Sequence, residues 1–427
     1  MLSKPAFYAG VYLCLALPAW ADPPSGDGRD SPPAVTKHSL SEFVQRVWEQ
    51  SPAVQRAQAA LEAAQANADA ADKPLHNPVL ELDAETSGVD TTTLGINQTI
   101  DWSNKRKALI LIAGQELNVA RARLLQTRQA IALEVLRSLI HYSVAREIQN
   151  LAEQRSRLMK RFLDTVQSRR AVGDVAALDV TLAQVAYTEA QLIKAASASE
   201  LVVTEAALRA VAGLNTNSWP RLPKSFTPLP EQDAGSLADT LPSLMVLHSR
   251  AEAARARTGL TRKLGKADPV VGFRAGQEEK DRLMGLTIAI PLFVRNNYEA
   301  KVREASHQAA AKEQEYRDAL RRARAALKGA RGRLENTRKA WREWSAAGQQ
   351  ALARQRQLLE RMWHSGELSA TEYLIQAKQN TDTRVAATRL WGEAWQAAIA
   401  WLEASGRVDT WLGLGNSRPE TDSGETK

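Results

Sequence analysis

Residues 78–86 read PVLELDAET and residues 93–100 read TLGINQTI, and in both stretches an apolar residue alternates with a polar one. In the first stretch, for example, Leu80, Leu82 and Ala84 alternate with Glu81, Asp83 and Glu85. This period of two is typical of a strand with one apolar and one polar face. Because the segment 87–90 between them has turn chemistry, the sequence predicts a β-hairpin of membrane-barrel length.

The same pattern returns in the second half of the chain. Residues 270–276 and 283–290 alternate in the same way, and a charged turn, 277–282, separates them. The apolar face of the last strand is formed by Met284, Leu286, Ile288 and Ile290. The sequence therefore predicts four short amphipathic strands, two in each half.

Each strand pair leads into one very long helical run. The runs extend from Lys105 to about Arg170 and from Asn297 to about His364, and neither contains a proline. At 1.5 Å per residue, about 65 helical residues extend roughly 100 Å. Apolar positions recur at spacings of three and four residues, which is typical of helices that pack against neighbouring helices.

Each long run ends at a glycine followed by an acidic residue. The two steps are Val172-Gly173-Asp174 and Ser365-Gly366-Glu367. Glycine is the usual residue for the left-handed conformation that ends a helix. Shorter helical patterns follow at 177–211 and 369–404, so the sequence predicts one helical hairpin in each half.

The N-terminus has the pattern of a secretory signal peptide. Lys4 precedes the apolar run 6–17, and Ala19-Trp20-Ala21 forms a small-x-small cleavage site before Asp22. Cys14 is the only cysteine, and Leu13 stands where a lipoprotein signal needs a small residue, so we expect an unlipidated mature chain without disulfides. The net charge of +8 is compatible with a nucleic-acid partner, but export argues against one.

The repeated order of elements predicts a duplicated chain. We expect a signal peptide (1–21), a disordered N-terminal segment (22–38), a first repeat (39–214), a proline-rich linker (215–235), a second repeat (236–406) and a C-terminal tail (407–427).

Four strands are too few to close a barrel, and open strand edges are not tolerated in lipid. The chain must therefore oligomerise or meet partner strands. Three copies would supply twelve strands, enough for an aqueous lumen. The predicted fold class is mainly α with a small β part: duplicated long-helix hairpins and four membrane strands, which a trimeric assembly would combine into a 12-stranded β-barrel and an α-helical tunnel.

Between Leu40 and Trp401 the chain resembles the TolC-like outer-membrane efflux proteins. The order and duplicated spacing of several short motifs carry the resemblance: Asn77-Pro78, residues 92–98, Lys105-Arg106, residues 172–179, residues 290–293 and residues 366–374. The run Thr91-Thr92-Thr93-Leu94 and Lys105-Arg106 are most similar to the heavy-metal cation branch, the cobalt-zinc-cadmium type. Ser103-Asn104 stands where that family has Gly-Gly.

The resemblance implies a homotrimer in the outer membrane, in contact with its lipid, with the helical tunnel in the periplasm. It also implies two protein partners, a periplasmic membrane-fusion adaptor and a proton-driven inner-membrane pump. The function that follows is passive conduction of exported substrate, with divalent heavy-metal cations as the expected cargo. No nucleic-acid partner and no cofactor are expected.

The predicted site residues form three groups. The hairpin tips, where we expect the adaptor to bind, are Val172, Gly173, Asp174, Ser365, Gly366 and Glu367. Glu372 is the residue expected at the periplasmic aperture, where three like charges around an axis would favour cations and raise one another's pKa. The aromatic residues expected near strand ends at the membrane interface are Trp102, Phe273 and Phe293.

No catalytic or metal-ligand residue is predicted. The six histidines lack metal-ligand spacing, and no nucleophile, phosphate-loop or metalloprotease motif occurs in the sequence. Two alternatives stay open. A duct for drugs or secreted proteins would share the same architecture. A pore-less periplasmic coiled-coil scaffold or adaptor would be expected to carry a single hairpin between compact β domains.

Overall fold

The computed structural model describes residues 34–86, 88, 90–216, 218–230 and 237–414. The predicted signal peptide, residues 22–33 of the predicted disordered segment and residues 415–427 of the predicted tail lie outside the described residues.

The described chain runs twice through the same order of elements. The first pass contains two helices, two strands and a long helical hairpin: α1 (Ala34–Gln50), α2 (Pro52–Ala71), β1 (Val79–Thr86), β2 (Asp90–Thr99), α3 (Lys105–Ala171) and α4 (Ala177–Ala212).

The second pass repeats this order and ends in an extra short helix: α5 (Leu237–Thr240), α6 (Pro242–Leu264), β3 (Val270–Glu278), β4 (Asp281–Ala289), α7 (Glu299–Glu343), a π-helical turn (Trp344–Gly348), α8 (Gln349–His364), α9 (Ala370–Ser405) and α10 (Val408–Leu412).

Three elements differ from the predictions. Helix α1 begins at Ala34, so residues 34–38 of the predicted disordered segment are helical, continuous with the turns that bury Leu40 and Phe43. The second long run is interrupted at Trp344–Gly348, where the Trp344 ring occupies the space that a side chain at position 348 would need. Helix α10 lies in the predicted tail, and Trp411 on it is buried.

The four strands form one antiparallel sheet in the order β1-β2-β3-β4. Strands β2 and β3 pair from Thr91 opposite Glu278 to Thr99 opposite Val270, which joins the two repeats. Gly276 allows this close approach, because a Cβ there would collide with the Thr92 backbone. Within the described residues β1 and β4 have no further strand partner, so both edges of the sheet are open.

The helices continue away from the sheet as a layer of long antiparallel pairs. Helix α3 packs against α2 and α4, and also against α6 and α9 of the second repeat. Helix α7 packs against α6 and α9. None of the helices in the described part of the chain combines the length and the apolar character that crossing a membrane requires.

Two apolar clusters stabilise this layer. The larger joins both repeats through α1, α3, α9 and α10, and includes the fully buried Leu136, Leu139 and Ile399. The smaller lies towards the hairpin tips and contains Phe162, Trp363 and Tyr373. Because both clusters draw residues from both repeats, neither hairpin packs independently of the other.

Over its described part, the proline-rich linker is held by hydrogen bonds from tryptophans that follow it in the chain. Residues 213–216 and 218–230 have no regular secondary structure. Three indole N–H groups nevertheless donate hydrogen bonds to its carbonyls: Trp395 to Pro223 O (3.2 Å), Trp391 to Lys224 O (3.1 Å) and Trp411 to Thr227 O (3.3 Å). Phe226 inserts among these rings, 5.5 Å from Trp411 between centroids.

Candidate functional site

The sheet has one exposed apolar face and one more enclosed polar face. Residues opposite each other in an antiparallel pair share a face, so the register aligns Leu80 with Ile96, Phe273 and Leu286 in one apolar row. The side chains of this face are open to solvent in the single chain; Leu286 is 70% exposed. A continuous exposed apolar surface of this kind marks contact with lipid or protein.

The polar face carries the acidic residues of β1. Glu81, Asp83 and Glu85 alternate with the apolar residues of that strand, and the Glu81 carboxylate accepts a 2.6 Å hydrogen bond from Asn97 Nδ2. Thr93 on the same face is 5% exposed, which shows that this face is the more enclosed of the two.

The two hairpin tips have the same backbone geometry. Gly173 and Gly366 have φ values of 82° and 79°, the left-handed conformation that the sequence predicts. One residue further on, Asp174 N donates to Arg169 O and Glu367 N donates to Met362 O, both at 2.9 Å. These bonds close each long helix in the manner of a Schellman motif.

The side chains of the tips face solvent. Val172 is 81% exposed, and Gly173, Asp174, Ser365, Gly366 and Glu367 are also exposed. Ser365 Oγ donates to Glu367 Oε1 at 2.8 Å, so one of the two acidic side chains is held by its own turn. The predicted tip residues are therefore accessible to a partner.

Contacts between the repeats hold both tips at the same end of the molecule. The guanidinium of Arg169, near the end of α3, lies 4.4 Å from the Trp363 ring centroid at the end of α8. Arg169 Nη2 also donates to Trp363 O at 2.9 Å. The Trp363 ring stacks on Tyr373 at 5.1 Å, and Phe162 lies 5.4 Å from the same tyrosine.

Glu372 lies in the first turn of α9, where it forms a capping box with Ser369. Ser369 N and Oγ donate to Glu372 Oε2 at 3.0 and 2.7 Å, and Glu372 N donates back to Ser369 Oγ at 3.2 Å. Within one chain, the hydrogen bond from the Ser369 backbone and then that from its hydroxyl lower the pKa of the exposed Glu372 carboxyl.

The first repeat has an equivalent carboxylate that the sequence analysis did not select. Asp179 lies in the first turn of α4, and its Oδ2 accepts a 3.1 Å hydrogen bond from Ala176 N. Asp179 and Glu372 both come six residues after the glycine of their hairpin turn. That shared spacing is the signal by which Asp179 could have been found.

Two of the three predicted interface aromatics lie where the strands meet the long helices. Trp102 is 73% exposed in the segment between β2 and α3. Phe293 follows β4, and its ring lies 5.7 Å from that of Tyr298, edge to face. Because β2 and β4 run in the same direction, both aromatics are at the same end of the sheet.

The expected position of Phe273 near a strand end is wrong. This residue is fourth in β3, which spans Val270–Glu278, and it stands opposite Ile96 and Leu286. Phe273 is the central residue of the alternating stretch 270–276, and its pairing with strands on both sides keeps it within the apolar band.

A buried charged contact fixes the start of the first long helix. Lys105 Nζ lies 2.8 Å from Asp268 Oδ2 in the second repeat and donates to Lys266 O at 2.9 Å. The Asp101 carboxylate accepts from the first backbone N–H groups of α3. Asn104 has φ 58°, so asparagine takes the left-handed conformation at the position where the resembled family has glycine.

No group of three or more histidine, cysteine, aspartate or glutamate side chains in the described ranges is arranged to hold a metal ion.

The chain is similar to known efflux and metal-resistance proteins. A family model described as outer membrane efflux protein matches residues 43–214. The chain is 30% identical over 250 residues to the nickel-cobalt-cadmium resistance protein NccC of Alcaligenes xylosoxydans xylosoxydans. It is 29% identical over 241 residues to the cobalt-zinc-cadmium resistance protein CzcC of Cupriavidus metallidurans. The alignments cover 54% of this chain and 56% and 58% of those relatives, so the chain spans little more than half of their length.

Among solved structures, the chain is similar to the open state of the MtrE outer membrane channel of Neisseria gonorrhoeae. The TM-score is 0.71 at 15% identity, over 92% of this chain and 98% of that one. This similarity confirms the predicted fold class, and the family match confirms the predicted resemblance to efflux proteins.

Proposed function

We propose that this protein is the outer-membrane channel subunit of a tripartite efflux system. Two findings support this proposal: residues 43–214 match the model of the outer membrane efflux protein family, and the fold is that of a solved outer membrane channel. In this proposal three copies form one barrel in the outer membrane and one helical tunnel in the periplasm. The chain conducts substrate passively and carries out no chemical reaction.

The open sheet is the observation that supports this proposal most directly. Its edges, β1 and β4, have no partner within the described residues, while one face exposes a band of leucine, isoleucine and phenylalanine. In lipid such edges must pair, and β4 of one copy can pair with β1 of the next. The outward apolar face and the inward polar face then match the two surroundings of a barrel wall.

The proposed cargo is divalent heavy-metal cations. Its support is the similarity to NccC and CzcC, which are named for resistance to nickel, cobalt, cadmium and zinc. The acidic residues of β1 lie on the polar face of the sheet, where they would favour cations in a lumen. We assign the choice among metals to the inner-membrane pump.

The proposed partners are a periplasmic membrane-fusion adaptor and, through it, a proton-driven inner-membrane pump. Both tips share one geometry, expose their side chains and lie at the end of the helices remote from the sheet. We propose the six tip residues as the adaptor contact. Glu372, one turn beyond the second tip, is the proposed acidic residue of the periplasmic aperture.

Two experiments test the proposal. Cell fractionation followed by size measurement of the mature protein in detergent is expected to give an outer-membrane trimer, and a soluble periplasmic monomer would overturn the channel. Deletion of the gene in cells that keep pump and adaptor is expected to lower tolerance to divalent metals. Unchanged tolerance to every metal together with an intact trimer would reject the cargo and leave a duct for drugs or secreted proteins.

A further inference from the structure

A cleft of about 240 Å³ lies between α3, α8 and α9, on the tip side of the molecule. Five arginines line this cationic cleft, two of them being Arg155 and Arg157, and the only acidic residue in its lining is Glu360. The lining of the cleft includes neither the strands, nor the six tip residues, nor Glu372.

Two of the five arginines have carboxylate partners outside the cleft. Arg155 lies 3.3 Å from Glu189 and 3.2 Å from Asp382, and Arg157 lies 3.5 Å from Glu153. Their positive charges are thus offset by residues of the helices that carry or face them.

The other three, Arg161, Arg356 and Arg384, have no carboxylate within 4.0 Å among the described residues. Arg384 donates to the neutral Gln154 Oε1 at 3.0 Å. Glu360, although it lines the same cleft, forms no ion pair within that distance either. The cleft therefore gathers three guanidinium groups whose charges are not offset by direct contact.

The arginine pair across α8 and α9 is under electrostatic strain. Arg384 is half-buried, and burial, followed by repulsion from Arg356, lowers the pKa of its guanidinium, although attraction to Glu147 offsets part of this effect. Arginine stays protonated in proteins, so this repulsion cannot be relieved by loss of a proton. An anion between the two groups would relieve it.

We propose that the cationic cleft binds one small oxyanion, with Arg161, Arg356 and Arg384 as its ligands. Guanidinium groups offer paired N–H donors that match the oxygens of phosphate-type anions. The volume exceeds that of a water molecule, about 30 Å³, several times, and is below the roughly 300 Å³ at which pockets for drug-sized ligands begin. A bound oxyanion would link α3 of the first hairpin to α8 and α9 of the second.

Equilibrium dialysis of the full-length trimer in detergent with labelled inorganic phosphate, at constant ionic strength in chloride buffer, tests this site. We expect saturable binding of one phosphate per chain. Arg384→Gln and Arg356→Gln are each expected to weaken binding about tenfold or more, because each removes charge-assisted hydrogen bonds. Arg354→Gln is the control, since Arg354 is exposed on the same helix α8 and does not line the cleft.

The variants separate binding from folding. Arg356 is exposed, so its substitution is expected to leave trimer migration and circular dichroism unchanged even where Arg384→Gln disturbs packing. Absent or non-saturable binding to the wild-type trimer overturns the proposal and points to a carboxylate of a neighbouring copy as the partner of the cleft. Equal loss of binding in Arg354→Gln also overturns it, because the effect would then follow net charge alone.

Discussion

At the scale of single residues, Glu372 combines a structural role with the proposed functional one. Its capping box holds the carboxyl pKa below its usual range, so the cap contributes stability at neutral pH and loses it as the pH falls through that lowered pKa. Three copies around an axis would raise the pKa instead, by mutual repulsion. The proposed aperture sets these two effects on the pKa of Glu372 against each other.

Glu372→Gln separates the two roles. The glutamine side-chain oxygen can still accept the hydrogen bond from Ser369 N, so the helix start is expected to survive. Preference for cations over anions in single-channel recordings is expected to fall, because the ring of charge is removed. Asp179→Asn is the matched comparison in the first repeat, since Asp179 Oδ2 accepts from Ala176 N as Glu372 Oε2 accepts from Ser369 N. An unchanged preference in Glu372→Gln would dismiss the aperture proposal.

Sequence and structure agree at the glycine turns and diverge at Phe273, and the conformation of Asn104 is seen only in the structure. The left-handed conformations of Gly173 and Gly366 follow from the residue type, because glycine lacks a Cβ. The same conformation at Asn104 depends on a chain path set by the Lys105–Asp268 contact and the Asp101 cap, which the sequence around it does not reveal. The place of Phe273 depends on where strand pairing stops.

At the scale of elements, the described part of the linker is ordered by tryptophans from distant helices. Trp395 is 1% exposed and donates to Pro223 O, whereas Trp391 makes the same kind of bond at a more exposed position. A proline-rich composition predicts an irregular segment, and the described linker residues 215, 216 and 218–230 have no regular secondary structure. Its attachment to α9 and α10 depends on residues far away in the chain.

Trp395→Phe is expected to loosen the linker. The change leaves Pro223 O without its donor in a buried place and opens a small cavity, at a cost of about 2 kcal/mol. The backbone amides of the linker are then expected to exchange hydrogen roughly thirtyfold faster. Trp391→Phe, with water able to replace the lost donor, is expected to cost less than about 1 kcal/mol. Equal effects of both variants would contradict the burial argument.

At the scale of the whole molecule, the single chain exposes surfaces that only an assembly in a membrane would cover. The apolar face of the sheet and its two open edges are unfavourable in water and suited to a barrel wall in lipid. The proposed trimer accounts for both features at once, because it closes the edges and turns the apolar face outward.

Neighbouring residues on β4 test which face meets lipid. Leu286 is on the apolar face and Thr287 on the polar face. Leu286→Arg is expected to reduce the yield of membrane-inserted trimer, because an arginine at the middle of a lipid-facing strand costs about 2–4 kcal/mol. Thr287→Arg is expected to insert normally. If Thr287→Arg impaired insertion and Leu286→Arg did not, the proposed orientation of the sheet would be reversed.

The sequence by itself determined the strands, the long helices, the hairpin turns and their duplication, because each follows from local periodicity or from a residue type with a distinct backbone preference. Only the tertiary structure decided the pairing of β2 with β3, the joining of both hairpins by Arg169 and Trp363, the order in the linker and α10, and the cationic cleft. These features bring together residues from both repeats or from distant helices. Local sequence patterns do not predict such contacts, because these contacts form only when the apolar faces of the two repeats bury each other.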